Sequence, residues 1–295
     1  MAATNEASIE SENDLTLGEV VAELERLYPT DTAQSWDHVG LVSGDLEQPV
    51  RRVHFAVDPT LAVIREASAA GADLLITHHP LLLRGIHSVA TTSAKGAAVT
   101  ALVVDDLALW VAHTNADVAD PGVNTALARA CGLTESVPLT EPEGRPLGRV
   151  GDLAEPVTLA AFAQALAERL PEAPCGVRVA GPADALVRRV AVLGGAGDGE
   201  FDAVRDSGAD VYVTADLRHH PALEAREESR GGPPYLIDAG HWATESLWLQ
   251  GAADQLAARM SEQRPAAGRL ETHISTVRTD PWDFVVGARP PGGTP

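Results

Sequence analysis

The sequence predicts an α/β protein made of two related α/β lobes, in which duplicated β-α-β units form mixed sheets flanked by helices. Three observations lead to this fold class. Short apolar segments of strand length alternate with segments of helical periodicity. Two stretches of the chain match each other at one constant offset. The 295 residues are 45% hydrophobic, which is enough to build sizeable cores.

The two matching stretches predict a duplicated unit. Each stretch reads as a strand, a helix, the triplet Gly-Ala-Asp, a second strand and then a cluster of polar residues. The identities pair Arg51-Arg52-Val53 with Arg188-Arg189-Val190, Gly71-Ala72-Asp73 with Gly208-Ala209-Asp210, and Thr77 with Thr214.

Helices are expected where apolar residues recur every three or four positions, as in Leu17–Leu27. Gly132 and Pro171 end two later helical segments. The predicted helices are 17–27, 61–69, 123–131, 159–170 and 244–260. The predicted strands are 53–57, 71–77, 107–112, 190–193, 211–214 and 235–238, with a closing strand over 270–277.

This order of elements predicts the domains. An N-terminal α/β lobe covers 15–134, a short linker or subdomain covers 135–186, and a second α/β lobe covers 187–286. The polar start, 1–14, and the end rich in Pro and Gly, 287–295, are predicted to be disordered tails.

Composition narrows the classes of function. A formal net charge of −20 disfavours nucleic acid and membrane surfaces as partners. The chain has two cysteines, Cys131 and Cys175, and no C-x-x-C motif, so any metal is expected on nitrogen and oxygen ligands. The chain starts without signal-peptide features, and no apolar run reaches the roughly 18 residues of a membrane span. A cytoplasmic protein is therefore expected.

Polar residues follow four of the strand-like segments, at the place where open α/β sheets usually bind ligands. Taken singly, each also has a structural interpretation: a surface His-His pair, a turn-forming Asp, or a His-Glu pair on a helix surface. The four clusters contain His78 and His79, His113 and Asp117, Asp216 with His219 and His220, and His241 with Glu245.

Five of these side chains form a candidate metal-ligand set: His78, His79, Asp117, His241 and Glu245. The spacing of His241 and Glu245 places both on one helical face. Nitrogen and oxygen ligands suit a divalent zinc, iron, manganese, cobalt or nickel ion. Five ligands exceed the three that one catalytic zinc usually takes. They fit two metal ions that share a bridging carboxylate and keep positions open for water.

At these residues the sequence resembles the Nif-three-like dinuclear metal centre hexameric proteins, whose bacterial members are often called GTP cyclohydrolase 1 type 2 homologs. The matching motifs are SWDHVGL from Ser35, ITHHPLL from Ile76, HTNAD from His113 with Gly122-Val123-Asn124, GADVYVT from Gly208 with His219-His220, and GHWATE from Gly240. The resemblance implies a Nif-three-like fold, two metal ions per subunit on the five ligands above, and a ring-like homohexamer. Many members carry a long insertion between the lobes, so the short 135–186 segment implies the compact form. Two positions depart from the family pattern: His38 stands where Asn is usual, and Ala215 where Gly is frequent.

The function that follows is metal-dependent hydrolysis of a nucleotide-like heterocycle. For the family, the resemblance implies ring opening of GTP with release of formate, although the chain has no phosphate-binding P-loop that would itself select GTP. His113, Asp216 and His220 are candidates for the acid–base group, and each can instead orient a metal ligand. The alternative is a non-catalytic metal-binding scaffold or a metal-delivery protein with the same ligands.

Overall fold

The computed structural model describes residues 15–265 and 269–287. The predicted tails, 1–14 and 287–295, lie outside the described residues except for Gly287. The chain divides into two compact units. Among the described residues, the first unit contains those up to Ala126 together with Glu141–Leu147 and Trp248–Thr279. The second contains Leu127–Thr140, Gly148–Leu247 and the described residues from Asp280 onward.

The described elements alternate between strand and helix for much of the chain. In order they are β1 (Leu15–Thr16), α1 (Leu17–Leu27), β2 (Gly40–Ser43), β3 (Pro49–Val50), β4 (Arg52–Ala56), α2 (Leu61–Ala69), β5 (Leu74–Thr77), α3 (Ala94–Val104), β6 (Ala108–Val111), α4 (Thr114–Val118), α5 (Val123–Ala130), β7 (Arg149–Thr158), α6 (Leu159–Ala167), β8 (Arg178–Ala180), β9 (Leu186–Ala196), α7 (Phe201–Asp206), β10 (Val211–Ala215), α8 (His219–Glu228), β11 (Tyr235–Asp238), α9 (His241–Gln263) and β12 (Glu271–Ile274). Short 3-10 turns cover Thr30–Thr32 and Pro142–Gly144. Among residues 15–265 and 269–287, no helix has both the length and the apolar character needed to cross a bilayer.

The first unit is built on a five-stranded mixed sheet with the order β12-β4-β5-β6-β2. The first four strands are parallel, and β2 runs antiparallel to β6. Every residue of β5 and β6 is buried, as expected for parallel strands that are covered on both faces. Apolar side chains of α2 and α3 form a core cluster with these strands; its helical members include Val63, Ile64, Ala67, Ala98 and Leu102.

Helix α1 begins and ends where its sequence predicts. Thr16 and Glu19 form a capping box, in which the Thr16 hydroxyl accepts from the Glu19 N–H and the Glu19 carboxylate accepts from the Thr16 N–H. Leu17, Val20 and Leu24 form its buried stripe. Local signals therefore determine both the start of this helix and the face that it buries.

The second unit also contains a five-stranded mixed sheet, in the order β7-β9-β10-β11-β8. Strands β9, β10 and β11 are parallel, and the edge strands β7 and β8 are antiparallel to their neighbours. Its core packs the three parallel strands against α6, through apolar residues that include Val192, Val213, Leu159 and Phe162. The α/β fold class with mixed sheets is thus confirmed in both units.

The duplicated unit recurs in three dimensions as β4-α2-β5 and β9-α7-β10. In the first copy the Asp73 carboxylate accepts hydrogen bonds from the backbone N–H groups of Arg51 and Arg52, at 2.7 and 2.8 Å. In the second copy Asp210 accepts from Arg188 and Arg189, both at 2.8 Å. The aspartate of each Gly-Ala-Asp triplet therefore ties the start of one strand to the start of the next, which explains why the triplet is repeated.

Three features differ from the sequence-based expectation. The segment 135–186 contains β7, α6 and β8, and all of it except Glu141–Leu147 lies in the second unit. The closing strand exists as β12, but it pairs in parallel with β4 and so belongs to the first unit. Helix α3 was not predicted, because its alanine- and valine-rich sequence has no clear apolar stripe and leaves Val103 and Val104 exposed.

Hydrogen bonds to the Glu66 carboxylate attach the segment after β12 to α2 and β4. Glu66 accepts hydrogen bonds from His54 Nε2 at 3.0 Å, from the Thr276 N–H at 2.9 Å and from the Ser275 hydroxyl. Burial alone would raise the pKa of Glu66, but these hydrogen bonds outweigh it and lower the pKa to about 2. The ionised carboxylate is therefore part of the folded structure.

Candidate metal centre

Three imidazoles meet at the carboxyl ends of β5 and β6 in the first unit. His78 and His79 directly follow β5, and His113 lies just beyond β6 and immediately precedes α4. Because β5 and β6 are parallel neighbours, their ends lie side by side. The ring of His113 is 5.1 Å from that of His78 and 5.5 Å from that of His79, and ring nitrogens of the three lie within 4.8 Å of one another.

Each of these rings has an oxygen acceptor at Nδ1. A carbonyl or carboxylate oxygen only accepts hydrogen bonds, so a neutral ring carries its proton at Nδ1 and its lone pair at Nε2. This is the tautomer that a metal ligand needs when it binds through Nε2. The acceptors are the carbonyl of Ala112 for His78 at 2.9 Å, Asp58 for His79 at 2.7 Å and Asp37 for His113 at 3.1 Å.

Asp117 joins the group from α4. A turn-forming role was the alternative interpretation of Asp117; the structure places the residue in the first turn of a short helix, four residues after His113. One of its carboxylate oxygens lies 3.8 Å from His78 Nε2. The first unit therefore gathers His78, His79, His113 and Asp117.

Asp37 holds His113 in place. Its carboxylate also accepts from the N–H and the hydroxyl of Thr114, at 3.1 and 2.6 Å. Burial alone would raise the pKa of Asp37, but the hydrogen bonds from His113 and Thr114 outweigh it and hold the pKa well below its usual range. The aspartate thus stays ionised and fixes the orientation of the imidazole.

Sequence reasoning assigned no role to Asp37 or Asp58. Asp37 lies within one of the quoted motifs, and Asp58 follows β4 at the same kind of strand end as the histidines. The position after β4 was the available signal for Asp58. Its contact with His79, however, depends on how β4 and β5 pair.

A buried aromatic pair lies behind His78. The Trp248 ring is 5.8 Å from the His78 ring and 5.4 Å from the Tyr28 ring. The Trp248 Nε1–H group donates to the Tyr28 hydroxyl at 3.1 Å. Burial raises the pKa of Tyr28 to about 12, so its hydroxyl is neutral.

A second group of candidate ligands lies in the second unit, where α9 begins just after β11. His241 Nε2 is 2.9 Å from Glu245 Oε1, and His241 Nδ1 is 2.8 Å from Asp216 Oδ2. Glu245 is buried. Asp216 directly follows β10 and has a positive φ of 53°, a conformation that Asp tolerates better than most residues.

Gly195 packs directly against this pair. A Cβ at this position would lie 2.4 Å from Glu245 Oε1 and 3.3 Å from His241 Nε2. The backbone there is held by two hydroxyls: the Gly195 N–H donates to Thr244 at 3.1 Å, and the Gly195 carbonyl accepts from Thr214 at 3.0 Å. Only glycine lets the backbone approach the His241 and Glu245 side chains so closely.

The remaining predicted site residue, His220, lies in the exposed first turn of α8. Its ring makes an edge-to-face contact with His219, with centroids 5.1 Å apart. Its acid–base role stays a prediction.

The two groups fit the chemistry of a divalent first-row metal. His241 is the clearest case. With its Nδ1 proton directed at Asp216, the neutral ring turns a lone pair toward a carboxylate oxygen only 2.9 Å away. Two acceptors at that distance repel each other unless a proton or a cation lies between them.

Imidazole and carboxylate side chains that could hold a metal ion, gathered at the strand ends of mixed-sheet units, define the class of α/β protein to which this chain belongs. The model of the Duf34/NIF3 (NGG1p interacting factor 3) family matches residues 15–281, so the chain belongs to this family.

Similar proteins agree with this assignment. A protein of Streptomyces coelicolor named GTP cyclohydrolase 1 type 2 homolog is 50% identical over 279 residues, which cover 93% of this chain and 96% of the relative. The crystal structure of a Bacillus cereus protein related to NIF3 matches with a TM-score of 0.84 and 26% identity, over 92% of this chain and all of that chain. A hypothetical protein of Staphylococcus aureus matches with a TM-score of 0.83 and 28% identity, over the same shares.

Proposed function

We propose that this protein binds two divalent metal ions and hydrolyses a nucleotide-like heterocycle. The ligands are those expected from the sequence: His78, His79, Asp117, His241 and Glu245. The observation that supports metal binding best is that four histidines at strand ends all have an oxygen acceptor at Nδ1. Orienting acceptors of this kind typically accompany histidine ligands of metals. The name of the relatives supports the choice of substrate class.

When bound, such metal ions would activate a water molecule and polarise an oxygen atom of the substrate. The residues of the chain would orient the ligands and transfer protons. Asp58 and Asp216 hold the rings of His79 and His241 at Nδ1. Asp37 holds His113 at Nδ1, which leaves Nε2 of His113 for the group that it forms with His78 and His79. We expect His113 either to transfer a proton there or to serve as a further metal ligand.

Metal content tests the first part of the proposal. Elemental analysis should find about two ions per chain in the wild type. The content should fall sharply in His78→Ala, Asp117→Ala and Glu245→Ala. His87→Ala is the matched control, because His87 is an exposed imidazole outside both groups. Little metal in the wild type, or the same content in all variants, would overturn the ligand assignment.

Turnover tests the second part. Metal-loaded protein incubated with GTP should release formate and a ring-opened product. His113→Ala should abolish turnover; retained metal would make His113 an acid–base group, and lost metal would make it a ligand. Bound metal without formate or ring-opened product would reject GTP hydrolysis and favour the alternative of a non-catalytic scaffold or metal-delivery protein.

The assembly is also part of the proposal. A homohexamer is expected from the resemblance described above, and native mass measurement of the full chain tests it. A monomer at micromolar concentration would contradict it.

A further inference from the structure

An exposed indole borders the imidazole group of the first unit. Trp36 is 52% exposed, yet its ring makes an edge-to-face contact with His113, with centroids 5.8 Å apart and planes at 80°. His113 in turn lies 5.1 Å from His78, ring to ring. The indole is therefore separated from the candidate ligand His78 by a single imidazole.

The backbone around Trp36 is held firmly. The Ser35 N–H and hydroxyl donate to Glu143 at 3.1 and 2.8 Å, and the Gln34 N–H donates to the Thr114 hydroxyl at 2.9 Å. The Arg145 guanidinium donates to backbone carbonyls earlier in the same loop. The loop thus presents Trp36 in a fixed position.

The indole itself is also fixed. Its Nε1–H group donates to the Gln34 side-chain oxygen at 2.6 Å, so the polar edge of the ring is already satisfied. What the ring offers a ligand is its apolar face. A rigid, exposed aromatic face loses little conformational entropy when a planar ring stacks on it.

The charges of this loop do not favour phosphate. The carboxylate of Glu143 accepts from Ser35, which precedes Trp36, and Asp37, which follows Trp36, accepts from Thr114. The cation Arg145 is already bonded to carbonyl oxygens and lies 3.6 Å from Glu143. A phosphate placed here would meet negative charge. The loop is suited to the aromatic part of a ligand.

We infer that Trp36 is a stacking platform for the planar aromatic ring of the substrate. The inference rests on the proposed function and narrows its substrate class to compounds in which a planar heterocycle, and not the phosphate, is bound by this loop. Guanosine should therefore bind through Trp36 as GTP does, whereas ribose 5-phosphate should gain nothing from this residue.

Calorimetric titration of metal-loaded protein with guanosine tests the inference. Trp36→Leu should raise the dissociation constant roughly five- to hundredfold, the range for loss of one base–aromatic stack. Trp36→Phe keeps a stacking face and should stay within a few-fold of the wild type. Trp282→Leu removes another exposed indole, 60% exposed, and should change nothing.

Fluorescence gives a readout that a purely structural role would not move. Guanosine should quench the part of the emission that Trp36→Phe removes, and ribose 5-phosphate should not. Equal affinity for guanosine in the wild type and Trp36→Leu would overturn the inference. A Trp36→Leu variant that loses its native assembly but keeps its affinity for guanosine would also overturn the inference, because a second copy of the chain would then cover the indole.

The two proposals fail separately. Absence of bound metal or of turnover, with guanosine quenching intact, would reject the proposed function alone. Normal metal content and turnover in Trp36→Leu with an unchanged KM would reject only the stacking role. If both hold, Trp36→Leu should raise KM and leave kcat nearly unchanged, as loss of uniform binding does.

Discussion

Replacing Gly195 by alanine would test whether the backbone approaches the His241–Glu245 pair as closely as the structure shows. The new Cβ would lie 2.4 Å from Glu245 Oε1, and the side chain of Glu245 is buried and cannot swing into solvent. Gly195 also has a positive φ of 68°, which an alanine adopts at a cost of about 1–2 kcal/mol. Overpacking against Glu245 adds about 1–3 kcal/mol. Gly195→Ala should therefore lower the free energy of unfolding by about 2–5 kcal/mol.

Gly208 offers a matched control in the same unit. Its φ is also 68°, but a Cβ there would meet nothing within 4 Å. Gly208→Ala should thus show the backbone cost alone, about 1–2 kcal/mol. The difference between the two variants isolates the contact with Glu245.

Denaturant unfolding and metal analysis of both variants would measure these effects. Gly195→Ala should lose metal as well as stability, because Glu245 must move away from His241. Gly208→Ala should keep the metal content of the wild type. Equal stability loss and equal metal content in the two variants would refute the reasoning about the close packing of Gly195.

Three further perturbations have defined outcomes. Asp58→Asn should weaken metal binding about 10–100-fold in a chelator competition, because the carboxylate that orients His79 is lost; unchanged affinity would contradict this role. Tyr28→Phe should lower the free energy of unfolding by about 1–3 kcal/mol, since the buried Trp248 N–H loses its acceptor; a neutral effect would show that another acceptor replaces it. The lowered pKa of Glu66, about 2 against an ordinary value of 4.5, stabilises the fold above pH 4.5, and this contribution is lost as the pH falls toward 2. Glu66→Gln should therefore be less stable than the wild type at neutral pH and approach it in acid; parallel pH profiles of the two proteins would contradict this.

Local sequence patterns predicted the helices with a clear apolar stripe and the buried parallel strands. Helices α1 and α2 begin and end at the predicted residues, because apolar spacing is a property of neighbouring residues. The Gly-Ala-Asp repeat predicted the duplicated unit before its physical reason was visible. That reason is the pair of backbone hydrogen bonds to Asp73 and to Asp210.

Long-range pairing was harder to predict. The alternating pattern near the end of the chain indicated a strand, but only the structure shows that β12 pairs with β4. A strand pattern in the sequence does not specify which other strand it will pair with, because backbone hydrogen bonds are the same for every sequence. The predicted domain boundaries could not include this return of the chain to the first unit.

The sequence by itself determined the fold class, the repeat and the imidazoles and carboxylates at the strand ends, because these follow from local periodicity and from residue type. Tertiary structure alone decided which nitrogen of each imidazole is available to a ligand. His79 and Asp58 are 21 residues apart, and His113 and Asp37 are 76 apart, so their contacts exist only once strands and loops have come together. The residue types at the strand ends thus follow from the sequence. The orientation of each imidazole, and which of its nitrogens carries the proton, depend on partners that only folding brings within hydrogen-bond distance.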